Sequence, residues 1–347
     1  MSDTRHAPDV LARPVRRTRL AVGLFLVAAV LVILCLLSLV IGSRAIPLGA
    51  AWQALSQADP GNVDAVVVRQ LRVPRTIVGL FVGVALGLAG ALMQGLARNP
   101  LADPGLLGVN AGASLAVVVA IGFLGISQPA GYVWFAFGGA AIAAVVVYSI
   151  GSMGRDGATP MTLALAGAAL TALIQSAITV IQLRDVTTFD QFRFWEIGAI
   201  AGRDMDVVRQ IAPFLILGVV VALSRGRMLN AMALGGDVAR SLGRRVNVDR
   251  AVTAVGIVLL CGGATAMAGP IAFVGLAIPH AARLITGPDF RWILRYSALL
   301  GPVLILASDI VGRVVAQPSE LQVGVVTALV GAPVLVVLVR RRRAGRP

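Results

Sequence analysis

The 347-residue chain is 58% hydrophobic and only 13% charged, and its formal net charge is +14. Soluble domains carry about 25% charged residues, so this composition excludes an ordinary soluble globular protein and indicates a membrane protein. All 30 basic residues are arginine. Because a Walker A loop needs a lysine, the chain cannot bind ATP through that motif, and any ATP must be hydrolysed by a partner.

The first apolar run extends from Leu20 to Ile41 and follows a basic stretch at Arg13–Arg19. The apolar region of a signal peptide is about 7–15 residues long, whereas this run is long enough to cross a bilayer. We interpret it as a retained first span that follows a basic cytoplasmic tail, residues 1–19.

Apolar runs of this kind recur along the whole chain and predict about ten transmembrane helices. They lie at roughly 20–41, 75–96, 106–125, 132–150, 160–182, 207–224, 251–269, 271–286, 294–313 and 322–339. The eighth run is interrupted by glycine and proline, which is tolerated at membrane depth only where the backbone is buried in protein or lines a cavity. The predicted fold class is therefore an all-α polytopic membrane protein with one domain, residues 20–339.

The arginines predict the orientation. With both termini in the cytoplasm, the inner segments contain 21 arginines and 7 acidic residues, and the outer segments contain 9 of each. The positive-inside rule therefore predicts cytoplasmic N- and C-termini in a cell (inner or plasma) membrane. The basic tail at 340–347 anchors the last helix at anionic lipid headgroups, so the high arginine content requires no nucleic-acid partner.

Ionisable groups are rare within the predicted spans, although an intramembrane enzyme or a proton-coupled carrier needs them at depth. Asp309 lies one helical turn before Arg313, which favours an i, i+4 ion pair over a proton relay. His280 is interpreted as a helix-end hydrogen-bonding group. We therefore predict no catalytic residue, no metal site and no cofactor in this chain.

The long inner segment 225–250 contains an apolar repeat. Leu234, Val238 and Leu242 recur every four residues, and Gly235, Gly236 and Gly243 divide the segment into short pieces. An apolar stripe on a short helix serves either to dock in the groove of a partner or to lie on the membrane surface. The spacing alone does not distinguish the two.

A set of motifs occurs in order from about residue 70 to the C-terminus. The motifs are Arg72-Val-Pro-Arg-Thr76, Gly90-Ala-Leu-Met-Gln-Gly95, Asn99-Pro-Leu-Ala-Asp-Pro-Gly-Leu-Leu-Gly108, Ala233-Leu-Gly235, Ala239-Arg-Ser-Leu-Gly243, Ala268-Gly-Pro-Ile-Ala-Phe-Val-Gly-Leu-Ala-Ile-Pro-His280 and Glu320-Leu-Gln-Val-Gly-Val-Val-Thr-Ala-Leu-Val-Gly-Ala-Pro333. In this order and spacing they resemble the iron-siderophore and cobalamin (FecCD-type) permease family of ABC importers. Gln322 departs from the family pattern, which usually has proline there.

The resemblance implies a cobalamin-importer-like permease fold and a transport subunit without an ATPase site of its own. It implies a homologous or identical second permease, two cytoplasmic ATP-binding subunits that hold ATP and Mg, and an extracytoplasmic substrate-binding protein. The expected substrate is a ferric siderophore, with cobalamin or haem as the alternative. An ion-coupled secondary carrier, the competing class, would need buried carboxylates and no ATPase.

The resemblance also implies roles for particular residues. Arg72, Arg75 and Arg313 match positions that receive glutamates of the binding protein, and the arginine fork suits a bidentate carboxylate. From the residues alone, snorkelling anchors remain an alternative. The segment 233–243 matches the coupling helices that contact the ATPase, with coupling residues Leu234, Gly235, Val238, Ala239, Leu242 and Gly243. Thr159, Met161 and Gln94 are the candidate gate or pathway residues.

Overall fold

The structure is a computed structural model, and it describes residues 12–42, 46–56, 61–153, 159–317 and 319–344. Side chains are described within these ranges except at 12–16, 160 and 334–344. The predicted tail at 1–19 therefore lies mostly outside the described residues. The side chains of the basic tail at 340–347 lie wholly outside them.

The described residues form fifteen α-helices. They are α1 (Ala12–Val40), α2 (Leu48–Ser56), α3 (Val63–Val66), α4 (Val73–Ala97), α5 (Val109–Leu124), α6 (Pro129–Ser152), α7 (Pro160–Arg184), α8 (Val186–Glu196), α9 (Met205–Ser224), α10 (Gly226–Ala233), α11 (Gly236–Ser241), α12 (Val246–Ala268), α13 (Val274–Thr286), α14 (Phe290–Val315) and α15 (Val323–Ala344). A π-helical turn, Val67–Arg72, joins α3 to α4, and a 3-10 turn, Pro104–Leu107, precedes α5.

Seven of the helical segments described here are long and apolar enough to cross a membrane. They correspond to α1, the continuous α3–α4 segment, α6, α7, α9, α12 and α14. The other three predicted spans, 106–125, 271–286 and 322–339, coincide with the shorter apolar helices α5, α13 and the first part of α15. The all-helical membrane fold is confirmed, whereas ten complete crossings stay a prediction.

Short polar side chains set where several helices begin. The Asp204 carboxylate accepts from Val207 N at 3.1 Å, and Asp289 accepts from Arg291 N at 2.9 Å. Thr159 and Thr162 form a capping box at the start of α7. Each contact satisfies a backbone N–H that has no partner inside the helix. At Asp185, the start of α8, hydrogen bonds from Thr188 hold the pKa of the carboxyl below its usual value.

The centre of the molecule is α4, which packs against α9, α12, α13 and α14. Glycines allow these close approaches. A Cβ atom at Gly90 would overlap the carbonyl oxygen of Gly275 in α13, and one at Gly83 would overlap the backbone of Pro302 in α14. Small residues at such contacts let helix backbones approach closely in a membrane, where packing rather than the hydrophobic effect drives association.

The first helix lies at the periphery of the bundle. Only 6% of its most apolar window is buried inside the chain. Its contacts are mainly with α14, where Tyr296 Oη donates to Leu20 O at 2.8 Å. A separate small apolar cluster joins α2 to the α3–π segment through Ala51, Ala54 and Val68. The rest of the described chain therefore leaves most of α1 uncovered.

The apolar repeat at 234–242 lies on short pieces separated by glycines, as the positions of Gly235, Gly236 and Gly243 indicate. Gly235 has φ = +116°, a conformation that residues with a Cβ rarely adopt, and it ends α10 before α11 begins at Gly236. Leu234 therefore precedes the break, and α11 has only six residues. Gly243 has φ = +77° and ends α11 in the same way.

Candidate functional site

The predicted docking and coupling residues lie at opposite ends of the bundle. Arg72 and Arg75 lie at the start of α4 and Arg313 near the end of α14, two helices that run antiparallel. At the other end, Gly95 of α4 and Phe290 of α14 approach Leu229 of α10, which leads into the coupling segment, residues 233–243. With 26 residues, α14 alone separates these ends by about 39 Å.

Arg75 is clamped between two carboxylates. Its Nε lies 3.1 Å from both oxygens of Asp309, and its Nη2 lies 2.8 Å from Oδ1. Its Nη1 donates to Glu320 Oε2 at 2.6 Å. The Asp309 side chain is 1% exposed, the Arg75 side chain 12% and the Glu320 side chain 32%. We call Arg72, Arg75, Asp309, Arg313 and Glu320 the arginine cluster.

Arg313 is fully enclosed and forms the predicted i, i+4 ion pair with Asp309. Its Nη1 donates to Ser38 O at 2.8 Å and to Ile41 O at 2.9 Å. Arg72 is also buried, and its Nη1 donates to Leu39 O and Val40 O, both at 2.7 Å. Both arginines therefore satisfy carbonyl oxygens at the C-terminal end of α1, where cations are also favoured by the helix dipole.

The carboxylates were the part of this site that sequence reasoning did not assign. Glu320 was seen only as part of a motif, and Asp309 only as the local partner of Arg313. The ion pairs from Arg75 to these residues join positions 234 and 245 apart in the chain. The sequence feature that could have drawn attention to Glu320 is its rarity, because it is one of only two glutamates in the sequence.

Two cavities open beside the arginine cluster. One of about 370 Å³ is lined by Arg75, Tyr132, Trp195, Arg203 and Glu320 among others. The second, of about 470 Å³, shares Arg75, Arg203 and Glu320 and adds Leu71, Arg72 and Arg313. Glu320 and the guanidinium group of Arg75 thus line both cavities, and an approaching group can reach this ion pair through either cavity.

At the opposite end, the coupling segment presents apolar side chains to its surroundings. Leu234, Val238 and Leu242 are 68%, 43% and 62% exposed, whereas Ala239 is fully buried. The segment is held on the bundle through the α12 residue Asp249, which pairs with Arg225 at 3.5 Å and with Arg244 at 2.8 Å. Exposed apolar side chains on a short segment that is fixed to the bundle are suited to bind a protein groove.

The three candidate gate residues lie in different environments. Thr159 caps α7, and Met161 is 73% exposed on the same helix. Gln94 is buried between α4 and α13, where its Nε2 donates to Leu276 O at 3.2 Å. Its Oε1 has no hydrogen-bond partner among the described residues. The structure does not bring Gln94 together with the other two.

One face of α7 carries polar side chains that the described chain leaves uncovered. Gln175, Ser176 and Thr179, near the middle of the helix, are exposed. The hydroxyls of Ser176 and Thr179 bond back to their own helix, at Ala172 O and Gln175 O. Polar groups at membrane depth are costly against lipid, so this face is suited to a partner helix or an aqueous path.

These features describe a multi-pass helical membrane protein, with ion-paired arginines at one end and the exposed segment 233–243 at the other. A family model described as the FecCD transport family matches residues 30–341. The chain belongs to the FecCD transport family, and it is a multi-pass protein of the cell (inner or plasma) membrane.

Individual relatives agree with this membership. The chain is 45% identical over 316 residues to the ferric enterobactin transport system permease protein FepD of Escherichia coli (strain K12), covering 91% of this chain and 94% of that protein. It is 41% identical to the probable siderophore transport system permease protein YfiZ of Bacillus subtilis (strain 168), covering 84% and 89%. A solved inward-facing structure of a metal-chelate type ABC transporter matches with a TM-score of 0.79 and 28% identity, covering 92% and 98%.

Proposed function

We propose that the chain is the permease subunit of an ATP-driven, binding-protein-dependent importer of a ferric siderophore. The observation that carries the proposal is the placement of the arginine cluster and the exposed coupling segment at opposite ends of α4 and α14. An importer needs such an arrangement, because the substrate arrives on one side of the membrane and ATP is hydrolysed on the other.

In this proposal the bundle crosses the membrane ten times, with a cobalamin-importer-like fold and both termini in the cytoplasm. The coupling segment then faces the cytoplasm and the arginine cluster faces outward. Support comes from the asymmetric arginine distribution, with 21 of the 30 arginines in the inner segments. The tails 1–19 and 340–347 then lie at the anionic inner surface.

Docking is assigned to Arg72, Arg75 and Arg313, which would bind carboxylates of the extracytoplasmic binding protein. Arg75 supports this role best, since its head borders both cavities and one of its partners is partly exposed. Arg72 and Arg313 tie α1 to the same cluster through the carbonyls of residues 38–41. A carboxylate bound at Arg75 would thereby contact a cluster that joins α1, α4 and α14.

Coupling is assigned to residues 233–243. Exposed Leu234, Val238 and Leu242 would enter the groove of an ATP-binding subunit that holds ATP and Mg, and Gly235, Ala239 and Gly243 set the shape of the segment. The chain's lack of lysine supports hydrolysis by a partner, because a Walker A loop cannot be built from it.

A second permease, identical or homologous, would cover the polar face of α7. The passage would then run between the two subunits, with Thr159 and Met161 at the gate. Gln94 would join this passage only after a rearrangement, because it is buried here. Ferric siderophore is the favoured substrate because FepD and YfiZ are named as ferric enterobactin and siderophore transport permeases.

The test is reconstitution in proteoliposomes with the ATP-binding subunits and the substrate-binding protein. We expect radiolabelled ferric siderophore to accumulate only with ATP and with both partners present. Accumulation by the permease alone, driven by an ion gradient, would identify a secondary carrier instead. Accumulation of cobalamin or haem but not of ferric siderophore would support the proposal of an importer and contradict the proposed substrate.

A further inference from the structure

The two partners of Arg75 are not equivalent. The side chain of Asp309 on α14 is buried and pairs with both Arg75 and Arg313. Its removal would therefore leave two buried guanidinium groups without their carboxylate. Glu320 contacts Arg75 through a single oxygen, Oε2, and its side chain is 32% exposed. Of the two carboxylates, only Glu320 can leave Arg75 without opening the core.

The backbone around Glu320 is held in place independently of its side chain. Leu321 N donates to Gly312 O, and Gly324 N donates to Gly198 O, both at 3.1 Å. The side chain of Glu320 can therefore rotate away from Arg75 while the backbone at Leu321 and Gly324 keeps its hydrogen bonds. The two adjoining cavities offer space for this rotation.

The other two arginines of the cluster have contacts that are harder to exchange. Arg313 is 1% exposed and donates to Asp309, Ser38 and Ile41. Arg72 is 5% exposed and donates to two carbonyls of α1. A carboxylate that approaches from outside thus meets the Arg75–Glu320 pair first. The Nη1 donor that now binds Glu320 Oε2 becomes available to it when Glu320 leaves.

We propose that Glu320 is an internal ligand of the docking site, which holds Arg75 in the free permease and is exchanged for a carboxylate of the incoming binding protein. This inference rests on the proposed docking function of Arg75. Glu320 neutralises and orients the guanidinium group of Arg75. The partner binds only while Glu320 is away from the site, so its apparent affinity falls as the fraction of time that Glu320 is bound rises. Docking is then an exchange of one ion pair for another, which favours reversible binding.

The experiment measures binding of the substrate-binding protein that supports uptake by this permease, titrated onto full-length permease in nanodiscs. Glu320→Gln should bind the partner about 2- to 5-fold more tightly, the gain expected when a partly exposed competing ion pair is removed. Arg75→Gln should bind about tenfold more weakly or worse, because a charge-assisted contact is lost. In the Arg75→Gln background, adding Glu320→Gln should change nothing further.

The matched control is Glu196→Gln, which removes the other glutamate of the chain. Glu196 ends α8 and, like Glu320, lies in a predicted outer segment, so both variants change the net charge equally. Its binding affinity should equal that of the wild type. Gel filtration and the thermal midpoint in the same nanodiscs establish that each variant is folded.

The outcomes separate the two proposals. If Arg75→Gln weakens binding but Glu320→Gln binds no more tightly than the wild type, Glu320 only positions Arg75 and the exchange is overturned while docking stands. If Arg75→Gln binds as the wild type does, docking at Arg75 fails and the exchange fails with it. A gain for Glu196→Gln equal to that for Glu320→Gln would assign the effect to net charge and would also overturn the exchange.

Discussion

At the scale of single residues, Asp309 organises the arginine cluster. Its carboxylate binds Arg75 from α4 and Arg313 from its own helix, and it is 1% exposed. A buried charge is tolerated when its partners are close and its lone pairs are satisfied, and breaking such a pair leaves an uncompensated charge. The cluster is therefore a structural joint between α4, α14 and the end of α1, as well as the candidate docking site.

Asp309→Asn should destabilise the protein by on the order of 3–5 kcal/mol, because two enclosed guanidinium groups lose their common counter-charge. The measurement is the thermal unfolding midpoint of the purified permease in one detergent. Asp206→Asn is the control, since Asp206 pairs with Arg209 on the surface and both side chains are more than 60% exposed. An unchanged midpoint for Asp309→Asn would contradict the proposal that the buried Asp309 carboxylate stabilises the arginine cluster.

At the scale of elements, the contact between α4 and α13 depends on the absence of side chains. The Gly90 position faces the backbone of Gly275, so any Cβ must push the helices apart. By contrast, a Cβ at Gly138 of α6 would have no atom within 4 Å. The two positions therefore separate the effect of packing from the effect of helix propensity.

Gly90→Ala should destabilise the permease by about 1–3 kcal/mol or more through overpacking against backbone. Gly138→Ala should be neutral or stabilising by up to about 1 kcal/mol, because alanine favours the helix. Thermal midpoints and expression of folded protein compare the two variants. Equal midpoints would show that α4 and α13 do not meet as closely as the structure places them.

At the scale of the whole molecule, α4 and α14 run between the arginine cluster and the coupling end. The two helices pack along each other, so they join the two ends of the bundle directly. In the proposed function the two ends have separate tasks, so we expect that each can be disabled without loss of the other.

Leu234→Asp and Leu242→Asp should abolish ATP-dependent accumulation, because an acidic group would have to enter the groove of the ATP-binding subunit. Binding of the substrate-binding protein at the opposite end should stay within about twofold of the wild type, since a surface change far from that site leaves it intact. Transport and binding assays on the same proteoliposomes provide both measurements.

The control is Val186→Asp at the start of α8, which introduces the same charge at a position 75% exposed. It should transport normally, and an acidic residue in a first helical turn is favourable. Full transport by the Leu234→Asp and Leu242→Asp variants would contradict the proposed coupling role of residues 233–243.

The class of fold and the family follow from the amino-acid sequence alone, and seven of the ten predicted spans coincide with helices long and apolar enough to cross a membrane. Hydropathy and charge act over segments of about 20 residues, so they are readable without tertiary structure. The i, i+4 ion pair of Asp309 with Arg313 was predictable for the same reason, because both groups lie on one helix.

The long-range contacts of the arginines could not be predicted from the sequence. Arg75 reaches carboxylates 234 and 245 residues away, and Arg72 and Arg313 reach the carbonyls at the end of α1. Likewise, the glycines predict a break in the coupling segment, but only the backbone angle of Gly235, φ = +116°, shows that Leu234 is separated from α11. Such contacts depend on the register of helices packed side by side and on single backbone angles, and neither is encoded in a local apolar pattern.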